Sequence, residues 1–190
     1  MENDTSRIRC NSACELKGDY VYPTSTKSNI LFLIDYPSGG DKNSTILSSV
    51  DQRAQAFFEA LSLARVDTDE IVIAPALRCI IKSKDIRKSF ISHCVEDLLS
   101  QLDVTHILCF GVSLFCTVTG LPIKSIDEYR MQYVQTEVSG KTYTVSCTYS
   151  LSLMDSRGCS ACSRGSYVVL MAKDMKMLMK EAKNGSNKRK

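Results

Sequence analysis

Ile30, Leu31, Phe32, Leu33 and Ile34 form an unbroken apolar run that stops at Asp35-Tyr36-Pro37-Ser38-Gly39-Gly40. A run this short, closed by Pro and Gly, reads as a strand buried on both faces. Such strands belong to parallel sheets covered by helices on either side. In open α/β sheets the ligand crevice lies beyond the carboxyl ends of the strands. The loop over 35–40 is therefore the first candidate for a site; an ordinary surface turn is the alternative.

The rest of the chain repeats the alternation. Ala54, Phe57, Phe58, Leu61 and Ala64 fall at helical spacing and predict a helix over 51–64, with Asp51 suited to its positive end. Residues 71–77 (IVIAPAL) read as a second buried strand, with Pro75 marking its end or a bulge near the carboxyl edge. Ile86, Phe90, Ile91, Cys94, Val95, Leu98, Leu99 and Leu102 make one apolar face of a long helix. A third strand is expected over 106–110, ending at Gly111, and a short helix over 112–118. Two strands are expected over 131–138 and 141–149, the first as an edge or hairpin arm. A loop over 150–166 and a last helix over 169–183 follow. This order predicts a three-layer α/β/α sandwich around a four-stranded, mainly parallel sheet.

At 190 residues, with 44% hydrophobic and 24% charged, the chain fits one globular domain, expected over 1–184 with a basic frayed tail over 185–190. A net charge of +3 permits a nucleic-acid partner without requiring one. No apolar run approaches the roughly 20 residues that span a bilayer, and the start lacks the apolar core of a signal peptide. An intracellular setting, cytoplasmic, nucleoid or nuclear, with no membrane partner is expected.

Nine cysteines is a high count for a reducing compartment, and being odd it rules out complete internal disulfide pairing. Cys10 and Cys14 precede the first strand, Cys79 follows the second, and Cys94 sits on the next helix. Four thiolates converging from these places would hold an iron–sulfur cluster or zinc. Spacing does not choose between these, nor exclude buried thiols that merely pack.

This layout resembles the iron–sulfur (family 4) branch of the uracil-DNA glycosylases. That family has a Cys pair before the first strand, a Lys-Cys or Arg-Cys after the second (here Arg78-Cys79), and a fourth Cys on the next helix (here in ISHCVEDLL). The apolar strand ending in Gly, ILCFG, fits as well. The similarity covers about residues 10–155, and the final helix also fits. The first pair departs from it, with three intervening residues where the family usually has two. The resemblance implies a 4Fe–4S cluster on Cys10, Cys14, Cys79 and Cys94, and a uracil-DNA-glycosylase-like fold.

The family's chemistry comes from three places, because a glycosylase must flip a base, grip its pairing edge and stabilise charge as the glycosidic bond breaks. In the loop after strand one, the pattern Gly-Glu-(Ala/Gly)-Pro-Gly is matched by Ile34-Asp35-Tyr36-Pro37-Ser38, keeping the Pro and an acid but neither Gly. At the end of strand two the family's uracil-reading Asn falls on Pro75, which has no side-chain amide. The base-stacking Phe falls near Val50. After the last strand, Thr148-Tyr149-Ser150-Leu151-Ser152 stands for Thr-Tyr-His-Pro-Ser, so Ser150 replaces the His and supplies no cation. His93 and His106 are expected far from this loop.

The family inserts the following loop into the minor groove. Here Leu151, Leu153 and Met154 are the candidate wedges, and Arg157 and Arg164 the candidate phosphate contacts. Cys159 and Cys162 form a CxxC that reads as chance in a Cys-rich chain, with a zinc half-site or redox pair as alternatives. Lys82, Lys84, Arg87, Lys88 and the tail 188–190 are further basic groups.

The resulting expectation is a glycosylase-like iron–sulfur protein with impaired catalysis. It would bind DNA or dock to a protein in replication or repair, a use with precedent in the superfamily. An active glycosylase using Asp35 with Tyr36 or Ser150, and a protein-only interaction module, are the alternatives.

Overall fold

The computed structural model describes residues 20–25, 27–42, 44–48, 51–80, 84–155 and 161–187. Strands β1 (Ile30–Ile34), β2 (Val72–Pro75), β3 (His106–Phe110), β4 (Val134–Val138) and β5 (Lys141–Thr148) form one sheet in the order β2-β1-β3-β5-β4. The four strands β2, β1, β3 and β5 are parallel, and β4 pairs antiparallel with β5. The expected four-stranded parallel core is present, and the hairpin arm extends it to five strands. Ser139 (φ 51°) and Gly140 (φ 78°) make the two-residue turn between β4 and β5. Two successive positive φ angles give the turn whose twist suits a tight hairpin, so β4 has to pair with β5.

Helices α1 (Gln52–Ala64), α2 (Lys84–Gln101), α3 (Val112–Thr119) and α4 (Ala161–Asn187) cover the sheet. Alternation along β1 divides the core. Ile30, Phe32 and Ile34 pack with residues of α1 and α4, whereas Leu31 and Leu33 pack with residues of α2 and α3. This is the three-layer arrangement that a doubly buried strand demands. Phe32, Phe57 and Phe110 meet at tilted or edge angles with centroids 5.6–6.4 Å apart, within the range favoured by aromatic pairs.

Asp51 caps α1, its side chain accepting from the Ala54 amide at 2.8 Å. Strand β2 ends at Pro75, as its position in the sequence predicts, yet main-chain bonds to β1 continue through Ala76 and Leu77. The segment ahead of β1 lies along β2 and its exit. Thr24 exchanges bonds with Ile73, and the Val21 amide donates to the Arg78 carbonyl at 2.8 Å.

The region after β5 departs from the expected loop over 150–166. Residues Leu151–Asp155 form a 3-10 segment, and α4 begins at Ala161 rather than near 169. The helix also runs to Asn187, so residues 185–187 are helical rather than tail. Among the described residues no helix is long and apolar enough to cross a membrane.

Candidate functional site

In the order β2-β1-β3-β5, the chain leaves the neighbouring strands β1 and β3 toward opposite faces of the sheet, and the crevice beyond them is the topological switch point. Asp35 follows β1 there, Gly111 follows β3, and Ser150 stands two residues beyond β5. The Ser150 hydroxyl donates to Asp35 Oδ2 at 3.0 Å. Ser150 Oγ in turn lies 2.8 Å from the Ser152 hydroxyl and accepts from the Ser152 amide at 3.2 Å. With its proton on Asp35, Ser150 accepts from both Ser152 groups, so its donor and both lone pairs are used. The two tentative catalytic residues are therefore brought together, with Ser150 as a hydroxyl held in place rather than a cation.

Gly111 adopts φ +118°, and a Cβ there would meet Ser150 Cβ at 3.0 Å and Asp35 Oδ1 at 3.6 Å. Glycine lets the start of α3 close onto the two side chains. Asp35 Oδ1 is buried without a hydrogen-bond partner among the described residues. Burial pushes the Asp35 carboxyl up to about 6, against the opposing pulls of the Ser150 hydroxyl and the Arg53 charge. A carboxyl raised toward neutrality with one unsatisfied oxygen is a candidate for proton exchange or for accepting a ligand's donor.

The loop after β1 is held from α1. Arg53 is 4% exposed, donates to the Tyr36 carbonyl at 3.1 Å and lies over the Tyr36 ring at 5.4 Å. Pro37 is buried. Asp41 Oδ2 accepts from the Ser38 amide at 2.9 Å and the Ser38 hydroxyl at 3.2 Å. Asp41 Oδ1 accepts from Ser48 at 3.2 Å. Ser38 thus shapes the turn. Pro75 is buried opposite Ile34 and offers the site no donor.

A second buried cluster fixes the last strand. Asp174 of α4 accepts two bonds from Arg130, at 2.9 and 3.1 Å, and one from the Thr148 hydroxyl at 2.7 Å. The Arg130 guanidinium lies 4.9 Å from the centre of the Tyr149 ring, whose hydroxyl donates to Asp127 at 2.6 Å. Burial pushes Asp174 above its ordinary value, while Arg130 and Thr148 draw it back. Burial disfavours the Arg130 cation, but its bonds to Asp174 more than offset this and hold it protonated. This network clamps the strand immediately before Ser150.

Two expected wedges are not available. Leu151 is 2% and Met154 0% exposed, because the 3-10 segment turns them into the core under α1 and α4; Leu153 is exposed. Arg164, expected at a phosphate, lies on the first turns of α4 and donates to Gln52 of α1 at 2.9 Å. Arg157, Cys159 and Val50 fall outside the described residues. His106 opens β3, at the opposite end of the sheet from Ser150, and His93 is exposed on α2.

Of the expected metal ligands, Cys10 and Cys14 lie outside the described residues. Cys79 and Cys94 are both buried thiols. Arg78, next to Cys79, pairs with Asp97, one helical turn after Cys94, and Tyr20 forms a bridge with Cys79. The Arg78–Asp97 pair ties the chain beside Cys79 to the helical turn after Cys94. Among the described residues alone, no three His, Cys, Asp or Glu side chains could hold a metal ion.

Sequence reasoning missed Arg53, Asp41 and the Arg130–Asp174 pair. A signal existed: Arg53 and Asp174 are charged residues on the apolar faces of their helices, four before Phe57 and three after Met171. No protein-family model and no curated protein matches the chain. What fold and site define is the class, an α/β protein with a switch-point crevice holding a buried, partly satisfied carboxyl.

Proposed function

We propose that the chain is a uracil-DNA-glycosylase-like iron–sulfur protein with impaired catalysis that binds DNA as a component of replication or repair. The observation that carries this is the 3.0 Å bond between Ser150 and Asp35. It joins the two loops that the glycosylase resemblance marks as the chemical ones. The same bond argues against ordinary uracil excision. Ser150 is saturated by Asp35 and Ser152, and neither it nor Pro75 supplies the cation or the amide that excision of uracil calls on. Fold alone does not carry activity.

Cys10, Cys14, Cys79 and Cys94 would hold the 4Fe–4S cluster, with zinc as the alternative. The group would pin the N-terminal segment to α2 and supply no step of chemistry. Protein isolated without oxygen is expected to be brown, to absorb near 400 nm as thiolate-bound iron does, and to carry about four irons. Colourless protein holding one zinc would replace the cluster by the alternative ion, and no metal at all would remove this part of the reading.

A second reading rests on Asp35 alone. A carboxyl titrating at about 6 with an unpartnered oxygen suits a general base toward another damaged base. Oligonucleotides carrying uracil, hypoxanthine or a mismatch, incubated with the protein and then treated with alkali, separate the two. Uncleaved strands together with a salt-sensitive gel shift are expected. Cleavage abolished by Asp35→Asn would establish the second reading instead, and no shift at low salt would leave the protein-only module.

A further inference from the structure

Helix α4 carries an arrangement that the crevice does not use. Lys173, Lys176, Lys180 and Lys183 are all exposed. At 3.6 residues per turn they fall within about 80° of arc and extend for about 15 Å along the axis. The opposite face of the helix is closed, because Met171, Met175, Leu178, Met179 and Ala182 are buried against the sheet and α1. The helix has two acidic residues, Asp174 and Glu181. Asp174 is buried with Arg130, and Glu181 stands roughly 80° or more from the lysines. Lys183 pairs with Glu70 at 3.0 Å; Lys173, Lys176 and Lys180 enter no ion pair among the described residues.

A solvated surface helix commonly mixes signs at i,i+4, so that each lysine has an acid within reach. Here three cations in a row over about 10 Å have none. From this charge pattern we infer that the Lys173–Lys176–Lys180 row binds the phosphate backbone of duplex DNA, a contact separate from the Asp35 crevice. It rests on the reading of the chain as a DNA-binding protein. Duplex DNA presents one charge per about 1.7 Å of axis, so a straight row of this length meets more phosphates than it has ammonium groups. The contact is independent of base sequence, because ammonium groups on phosphates carry no base readout. A lipid surface is the poorer fit. An interfacial helix needs an apolar face to insert, and that face of α4 is committed to the core.

The test uses the full chain, a labelled 20-base-pair duplex and fluorescence anisotropy across a salt series. Each lysine on a phosphate contributes about 0.9 to the slope of log affinity against log salt. The triple variant Lys173→Gln/Lys176→Gln/Lys180→Gln is expected to lower that slope by about 2.7, equally for unrelated sequences. Lys124→Gln, exposed elsewhere on the surface, is expected to leave it unchanged. All three positions are exposed, so the circular dichroism and unfolding midpoint of the variant should match the parent. Parent binding with an unaltered slope in the triple variant overturns the row while leaving the DNA-binding reading standing. No binding by the parent at low salt overturns both. Binding to vesicles of anionic phospholipid, lost in the triple variant, with no binding to the duplex, would replace DNA by a membrane surface and overturns the inference.

Discussion

Asp35 and Asp174 both carry buried carboxylate oxygens at the carboxyl end of the sheet, one on each side of Ser150 in the chain. Asp174 receives two bonds from a guanidinium and one from a hydroxyl, which hold α4 against β5 and the Arg130 segment bridged to it. Asp35 receives one hydroxyl bond and keeps one oxygen unmatched. Burial is common to both; satisfaction is not. A buried charge with all its partners is a structural clamp, whereas one left short of partners costs stability that folding alone has no reason to keep. The contrast separates the part of this fold that holds the crevice from the part that offers something to a ligand.

The contrast is most exposed at Asp174. Replacing it by Ala leaves the Arg130 cation, 12% exposed, without its main partner. A loss of about 3–5 kcal/mol in urea-induced unfolding is expected. A loss below about 1 kcal/mol would mean that the clamp is ornamental.

Asp35→Asn should act in the opposite direction. The folded carboxyl titrates at about 6, above its unfolded value near 3.9, so the folded state binds the proton more tightly. Its stabilising share is full below about pH 4 and is lost as pH rises through about 6. The wild type minus variant difference in unfolding free energy should therefore fall across that window, and the Asn variant should be about 2–3 kcal/mol the more stable at pH 7. A difference that is flat with pH would remove Asp35 from the role given to it.

Thr148→Val tests the smaller half of the clamp. It removes one bond to a charged acceptor while keeping the shape, and is expected to cost about 1.5 kcal/mol. The smallest effect belongs to Ser150→Ala. Deleting the donor that steadies the ionised form should raise the Asp35 titration above about 6, followed by side-chain carboxyl NMR, with a stability change at pH 7 under about 1 kcal/mol. A downward shift would show that Ser150 does not donate to the carboxylate.

The alternation of short apolar runs with helical faces made the parallel core readable. β1 and β3 have the bounds that their apolar residues mark, since residues buried on both faces leave little choice of element. The start of α4 was not readable. Ala161, Cys162, Ser163, Arg164, Gly165 and Ser166 are mostly weak helix formers, and Gly165 alone costs about 1 kcal/mol relative to Ala. Packing against α1, including the Arg164–Gln52 bond, overrides that propensity. In the same way Leu151 and Met154 read as groove wedges when seen as loop residues, and the 3-10 segment buries them.

The candidate site was half legible. Asp35 stands out because it follows a strand at the edge where ligands sit, Ser150 only through the glycosylase resemblance, and Gly111 because it ends an apolar strand. Arg53 and Asp174 make their contacts to residues 17 and 26 positions away or more, and no local pattern encodes such distances. The sequence by itself determined the layers, the parallel core and which end of it carries polar loops. Hydrophobic period and turn residues are local, and they act on neighbours along the chain. Only the tertiary structure decided which buried carboxylate is satisfied and which is not. That outcome depends on whether a guanidinium or a lone hydroxyl arrives from elsewhere in the fold, and electrostatic partnership is a matter of ångströms in space rather than of residue type.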